Sequence, residues 1–138
     1  MQSFEQHFKG IAKELEESRR FLSMVLKEIG WQHREIDLQL AIGEVMQNVV
    51  RYGFDGGRED GTVTMSIEFD GTQLICTVKD NAPPSNPDEW MLKAEERRPD
   101  EGGYGLSIID AIAERYEVIP GDKGNISRLT FRDQPLEG

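Results

Sequence analysis

Two stretches of alternating apolar and polar residues, joined by a short turn sequence, set the main constraint on how this chain can fold. Residues 62–69 and 72–79 alternate with a period of two, and Asp70-Gly71 between them is a strong signal for a two-residue hairpin turn. Residues 116–119 and 126–132 predict a second antiparallel pair. The apolar face of such a sheet must be buried against other elements, such as helices. We therefore expect an α+β fold, a two-layer sandwich with helices on one face of a mostly antiparallel sheet.

Amphipathic patterns predict the helices that would pack on the apolar face of the sheet. Over residues 35–52, apolar side chains recur at steps of three and four: Leu38, Ile42, Val45, Val49 and Tyr52. A second stripe predicts a long N-terminal helix over about residues 3–29, with no strand before it and Gly30 as its stop: Phe4, Phe8, Ile11, Leu15, Leu22, Val25 and Ile29. This stripe either packs on the core of the domain or forms a heptad seam for a homodimer or a partner helix.

A carboxylate and a carboxamide lie one turn apart beside the apolar stripe of residues 35–52. Asp37, Ala41, Glu44 and Asn48 form one row, because residues four apart stack on the same side of a helix. The amide oxygen of Asn48, together with nucleotide phosphates, would suit Mg²⁺, which prefers oxygen ligands and keeps several waters. Taken alone, such a pair is more often the solvated flank of an ordinary helix.

Asp80 ends the second predicted strand on its apolar face, in line with Leu74, Cys76 and Val78. An unpaired carboxylate is costly in such a place, so it needs a donor, and the exocyclic amino group of adenine is a suitable one. The alternative is that Asp80 caps the turn over residues 81–84, since aspartate is a favoured turn residue.

A glycine cluster opens the third motif. It comprises Gly102, Gly103, Tyr104, Gly105 and Leu106. An apolar stripe follows it, made of Leu106, Ile109, Ala113 and Tyr116, so a helix is predicted to begin at the cluster. The N–H groups of a helix N-terminus and the missing side chains would let a phosphate come close. The glycine-rich residues 55–61 lead into a strand and are predicted to be a loop, and a Walker-type phosphate loop is absent from the sequence.

In this order and spacing, the three motifs resemble the N, G1 and G2 boxes of the ATP-binding superfamily shared by gyrase, histidine kinases and mismatch-repair ATPases, the Bergerat fold. The two prolines after the G1 aspartate are most similar to the anti-sigma-factor serine kinases of bacterial partner switching. The resemblance covers roughly residues 35–132. It implies that Asn48 holds the metal, that Asp80 reads adenine, and that residues 102–106 contact phosphates. Ala82, where the family pattern prefers glycine, would lie beside the adenine.

The resemblance also implies a function. We expect a protein serine/threonine kinase that uses ATP and Mg²⁺, sequesters a sigma factor, phosphorylates a serine of an anti-anti-sigma protein, and forms a homodimer. Glu44 is the expected base, because it shares a row with Asn48 at one helical turn, and Asp37 is the alternative. Residues 85–101 match the position of the ATP lid of the family.

Two other functions stay open. One is a catalytically silent module that senses a nucleotide and binds protein partners. The other is the catalytic domain of a histidine kinase, which would need a phosphoacceptor histidine on a dimerisation helix. Neither His7 nor His33 is well placed for that role.

Composition sets the outer limits. A single domain over residues 1–138 is expected. The formal net charge is −10 and there is no run of Lys or Arg, which argues against direct nucleic-acid binding. No membrane segment is recognisable, so we expect a cytoplasmic protein. The single cysteine, Cys76, is predicted to be a core residue, and the two histidines belong to no zinc-like cluster.

Overall fold

A computed structural model of the chain describes residues 1–84 and 105–134. Within these ranges, five strands form one antiparallel sheet in the order β1-β2-β3-β5-β4. The strands are β1 Gln2–Gly10, β2 Arg58–Phe69, β3 Gln73–Asp80, β4 Arg115–Ile119 and β5 Ile126–Arg132. The α-helices in the same ranges are α1 Leu15–Ile29, α2 Glu35–Asn48 and α3 Gly105–Ile112. This architecture confirms the predicted fold class, α+β with helices packed on an antiparallel sheet.

The register of the sheet determines which strand residues meet the helices. Met65 lies opposite Val78, and Ile67 lies opposite Cys76, which in turn lies opposite Leu129. All five side chains are fully buried and share one core with the apolar faces of α1 and α2. Burying each such side chain contributes about 1.5–3 kcal/mol. The core therefore lies between one face of the sheet and the helices, as the period-two pattern predicts.

The predicted helix over residues 3–29 is wrong in its first part. Residues 2–10 form β1, which runs antiparallel to β2 and pairs with it from Gln2 opposite Phe69 to Lys9 opposite Thr62. Phe4 and Phe8 are four residues apart, a spacing that places two side chains on one face of a strand as readily as on one face of a helix. The first strand, which the sequence pattern did not reveal, is thus present at the edge of the sheet.

The remainder of that prediction holds, because α1 covers Leu15–Ile29 and ends as expected. Gly30 has a φ of 79°, the left-handed conformation typical of a glycine after a helix. The buried side chains of α1 lie in the chain's own core: Phe21, Leu22, Val25 and Leu26. Of the two alternatives for the N-terminal stripe, packing on the core is the one that the structure shows for α1.

Replacing Leu22 by Asp is expected to unfold the protein. Leu22 is only 1% exposed, so the new carboxylate would be buried without a partner, at a cost of several kcal/mol, comparable to the whole stability of a small domain. Met24 provides a matched control, because it lies two positions along the same helix and is 50% exposed. Met24→Asp should change the unfolding free energy by no more than about 0.5 kcal/mol. Thermal unfolding followed by circular dichroism tests both. Equal midpoints for the two variants would contradict this placement of α1.

The β2–β3 hairpin is present, with its turn one residue later than predicted. Phe69 lies opposite Leu74, and the N–H of Asp70 donates to the carbonyl of Gln73. The two turn residues are therefore Gly71, with a φ of 100°, and Thr72. At the other end, β2 begins at Arg58, so part of the glycine-rich stretch expected to be a loop belongs to the strand.

The end of α2 changes its helical geometry. Residues Val49–Gly53 continue the helix as a π-helical turn, in which the N–H of Phe54 donates to the carbonyl of Val49. Such wider turns occur often near functional sites. The helix predicted after the glycine cluster is α3. It ends at Ile112, and Tyr116, which the apolar stripe included, belongs to β4. None of the helices in the described ranges is long and apolar enough to cross a membrane.

Candidate functional site

The segments that carry the three sequence motifs are neighbours in the fold. The π-helical turn after α2 meets the residues that follow β3, because a Cβ added to Gly53 would lie 3.2 Å from the Cβ of Ala82. Helix α3, which follows the glycine cluster, packs on α2. Gly105 and Leu106 are the first residues of α3, whereas Gly102, Gly103, Tyr104 and the predicted lid over 85–101 lie outside the described residues.

The two carboxylate oxygens of Asp80 have different surroundings. Oδ1 accepts hydrogen bonds from the backbone N–H of Ala82 (3.0 Å), the backbone N–H of Asn125 (3.2 Å) and the side-chain amide of Asn125 (3.0 Å). No residue in the described ranges donates to Oδ2. The carboxylate is therefore held by one oxygen and presents the other as an acceptor. The turn-capping role and a ligand-binding role, which the sequence offered as alternatives, are compatible, because each uses a different oxygen.

Burial and hydrogen bonding act in opposite directions on the charge of Asp80. Burial raises the pKa of Asp80, while the hydrogen bonds from Asn125 and Ala82 lower it, and burial is the larger effect. Since Oδ1 already accepts three donors, a proton taken up by this carboxyl group would occupy Oδ2. Protonation would thus turn Oδ2 from an acceptor into a donor.

Asn81 fixes the end of β3 that carries Asp80. Its backbone N–H donates to the carbonyl of Thr62 (3.2 Å), and its side-chain oxygen accepts the N–H of Thr62 (2.8 Å). The next residue, Ala82, is buried, and its methyl group lies near Gly53. Alanine is accommodated here in place of the glycine that the family pattern prefers, because the neighbour across the contact is itself a glycine.

Asn48 is a buried polar residue without a described partner. It is 5% exposed, and its carboxamide makes no hydrogen bond to another residue within 1–84 or 105–134. The carboxamide atoms of Asn48 are not among the fully buried atoms that lack a partner in the described residues, so they reach a surface where water or a ligand can bind. An amide oxygen in this position fits the oxygen ligation that Mg²⁺ requires, so the residue present at this site suits the metal that the sequence motif implies.

Glu44 lies one turn before Asn48 and borders an open groove of about 410 Å³ formed with Gln39, Gly43 and Gln47. Burial raises the pKa of Glu44, and the nearby charge of Arg51 lowers it to a smaller extent. A raised pKa brings a carboxylate closer to the range in which it can accept a proton from a hydroxyl group.

Asp37, the alternative base, is already engaged. Its carboxylate forms an ion pair of 2.7 Å with Arg34, whose side chain is 3% exposed and also donates to the carbonyl of Arg132. Removing one partner from such a pair leaves a buried charge uncompensated. The structure therefore gives Asp37 a clear structural function, while Glu44 lies one turn before Asn48 on α2 and lines a groove that does not include Asn48.

Asn125 is a site residue that sequence reasoning missed. It lies in the loop before β5, is 2% exposed, and donates to Asp80. Gly124 permits this contact, because its φ is 138° and a Cβ there would lie 1.8 Å from the carbonyl oxygen of Asp80. The only sequence signal was the Gly-Asn pair, which indicates a turn but not its partner.

The cysteine and the two histidines have defined surroundings in the described residues. Within the ranges 1–84 and 105–134, no group of three or more His, Cys, Asp or Glu side chains could hold a metal. Burial raises the pKa of Cys76 to about 12, which keeps the thiol protonated and unreactive. His33 pairs with Asp133 at the surface, and His7 contacts Thr64.

This fold and arrangement match a known domain type. Residues 11–131 match the family model of the histidine kinase-like ATPase domain. The chain belongs to this family of ATPase domains, whose fold binds ATP. No curated protein sequence matches it.

Solved structures with a similar fold include an RsbU–RsbW protein and histidine kinase domains. The structure of the RsbU and RsbW domains of Rv1364c from Mycobacterium tuberculosis is similar with a TM-score of 0.70 and 19% identity. It aligns over 96% of this chain and 32% of that one. A histidine kinase domain from the Erythrobacter litoralis blue-light activated kinase EL346 gives a TM-score of 0.51 and 21% identity, over 71% of this chain and 44% of that one. The mycobacterial sensor histidine kinase MprB gives a TM-score of 0.51 and 16% identity, over 95% of this chain and 100% of that one.

The chain thus spans about a third of the mycobacterial RsbU–RsbW structure and less than half of the EL346 domain. At these identities the likeness establishes the fold, and the individual site residues must be judged by their own geometry.

Proposed function

We propose that this protein is an ATP-binding anti-sigma factor and protein serine kinase, which sequesters a sigma factor and phosphorylates a serine of an anti-anti-sigma protein. The main observation in support of a nucleotide site is that the two oxygens of Asp80 differ. Oδ1 accepts three N–H donors, whereas Oδ2 has no donor among the described residues and can accept one from a ligand. An acceptor of this kind suits the 6-amino group of adenine. The sequence resemblance to anti-sigma kinases and the TM-score of 0.70 with a structure that contains an RsbW domain support the choice of partners.

In this proposal each residue has a distinct task. Asp80 orients the adenine, the carboxamide of Asn48 supplies one oxygen to Mg²⁺, and the N-terminal end of α3, with Gly102–Leu106, receives the phosphates. Bound ATP with Mg²⁺ would supply the phosphoryl group and neutralise the charge that develops on it. Glu44 would accept the proton of the attacking serine hydroxyl, and most of the rate enhancement would come from positioning.

The acidic surface and the partner-switching resemblance also lead us to propose protein partners in place of nucleic acid, a homodimer as the working assembly, and the cytoplasm as the compartment. The net charge of −10 suits basic protein surfaces. Since the stripe of α1 lies in the core, such a dimer would use other surfaces.

The test is transfer of label from γ-labelled ATP to a partner. Partners would be captured from cells that naturally contain the protein, identified, and purified. We expect Mg²⁺-dependent labelling of one small partner on serine, abolished when its acceptor serine is replaced by alanine. Binding of ATP and partners without any transfer would favour the nucleotide-sensing module, and labelling on histidine would favour a histidine kinase.

A further inference from the structure

Asn125 connects three points of the turn that follows β3. Its side-chain nitrogen lies 3.0 Å from Oδ1 of Asp80, 2.9 Å from the carbonyl oxygen of Pro83 and 3.5 Å from that of Ala82. A carboxamide nitrogen carries two N–H groups, so the two short contacts account for both of them. Asp80 and Pro83 are therefore tied to the same side chain.

The backbone of Asn125 adds a second tie to Asp80. Its N–H lies 3.2 Å from both the carbonyl oxygen and Oδ1 of Asp80, and the N–H of Asp80 donates to the carbonyl of Asn125 (3.0 Å). These bonds continue the β3–β5 pairing one step beyond Lys79 opposite Ile126. Both residues are thereby fixed relative to each other before any ligand binds.

We propose that Asn125 is a positioning residue of the nucleotide site, which selects the oxygen of Asp80 that faces the base and holds the turn at Pro83 in the geometry required for this selection. The inference rests on the proposed adenine-binding role of Asp80. Without the Asn125 side chain, Oδ1 of Asp80 would keep its two backbone N–H donors but lose the third donor, so the carboxylate could rotate more easily. Preorganised acceptors bind better than acceptors that must be ordered on binding.

The consequence is specific to one atom of the ligand. A positioning role for Asn125 predicts that its removal weakens the interaction with the 6-amino group and leaves the ribose and phosphate contacts unchanged. A merely structural role predicts a uniform loss for every nucleotide. Purine riboside triphosphate, which lacks the 6-amino group but keeps the rest of ATP, separates the two outcomes.

The experiment measures the affinities of ATP and of purine riboside triphosphate by calorimetry for wild type, Asn125→Ala, Asn125→Ser and Ser127→Ala. Ser127 is the matched control, because it is a buried polar residue of β5, 1% exposed, without a described contact to Asp80. In Asn125→Ala we expect ATP affinity to fall about tenfold, with less than a twofold change for the analogue. Asn125→Ser, which restores one donor, should recover part of the preference for ATP, and Ser127→Ala should keep all of it.

Equal losses for both nucleotides in Asn125→Ala would overturn the positioning role, as would an unchanged preference for ATP. A wild-type protein that does not prefer ATP over the analogue would overturn it as well. Phosphotransfer is not part of this measurement. A protein that binds ATP selectively but transfers no phosphate would therefore contradict the proposed kinase function and leave the inference about Asn125 intact.

Discussion

Asp80→Asn should weaken ATP binding by about ten- to a hundredfold and shift the preference of the site towards 6-oxo purines such as GTP. The three N–H donors on Oδ1 would require the oxygen of the new amide in that position. Its NH₂ group would then replace Oδ2 and face the 6-amino group of adenine. Both groups are hydrogen-bond donors, so no hydrogen bond could form between them. Loss of a hydrogen bond to a charged group costs about 1.5–3 kcal/mol, which corresponds to the expected factor. The 6-oxygen of guanine, in contrast, could accept from the new donor.

Calorimetric titration of ATP and GTP into the wild type and the variant measures this exchange. Asp60→Asn serves as the control, since Asp60 is an exposed carboxylate paired only with Arg58 among the described residues. It should leave both affinities unchanged. The assignment of adenine to Asp80 is wrong if wild type binds ATP and GTP equally or if Asp80→Asn alters neither.

The same geometry gives ATP binding a pH dependence with a defined sign. Binding of adenine requires ionised Asp80, and burial raises the pKa of this carboxyl group. ATP affinity should therefore fall as the pH is lowered towards that pKa, because the proton occupies Oδ2. Asp80→Asn cannot titrate at this position and should lack this component of the pH dependence.

Glu44→Gln should retain nucleotide binding and lose phosphotransfer. Glutamine keeps the size and polarity of the side chain but cannot accept the proton of an attacking hydroxyl group. Removing a general base typically lowers the rate by 10²–10⁴-fold. Single-turnover transfer from labelled ATP gives the rate, and calorimetry on the same preparation gives the nucleotide affinity, which we expect to change less than about twofold.

Asp37→Asn separates this assignment from its alternative. Because Asp37 pairs with the buried guanidinium of Arg34 but is itself 41% exposed, the substitution should lower stability by about 1 kcal/mol, visible as a lower unfolding midpoint. Transfer by the fraction that remains folded should be close to that of wild type. If a folded Asp37→Asn variant has lost phosphotransfer while Glu44→Gln remains active, Asp37 is the base and Glu44 is not.

Sequence patterns predicted the parts of the molecule whose conformation is determined by residues close together in the chain. The β2–β3 hairpin depends on period-two alternation and an adjacent turn, and α2 depends on a stripe within eighteen residues. Asp80 was recognisable because its strand pattern placed a charge on an apolar face. The N-terminal strand was missed because Phe4 and Phe8 fit both periodicities, and only pairing with β2, more than fifty residues away, decides between them.

Asn125 shows why the remainder of the site was out of reach. Its role depends on Asp80, 45 residues earlier in the chain, and on Gly124, whose conformation lets two backbones touch. Neither of these two contacts produces a periodic pattern in the sequence. Similarly, the engagement of Asp37 depends on Arg34 being buried by packing, which the charge pattern alone does not disclose.

The order of the strands has a consequence for synthesis of the protein on the ribosome. β2 and β3 form a local hairpin, but β3 acquires its second neighbour, β5, only from the last part of the described chain. Distant pairings form more slowly than local ones, because more chain entropy is lost in closing them. A nascent chain that has reached Asp80 therefore still lacks the partner that fixes its carboxylate. We expect nucleotide capture to begin only after β5 has left the exit tunnel, so that incomplete chains remain unable to compete for ATP.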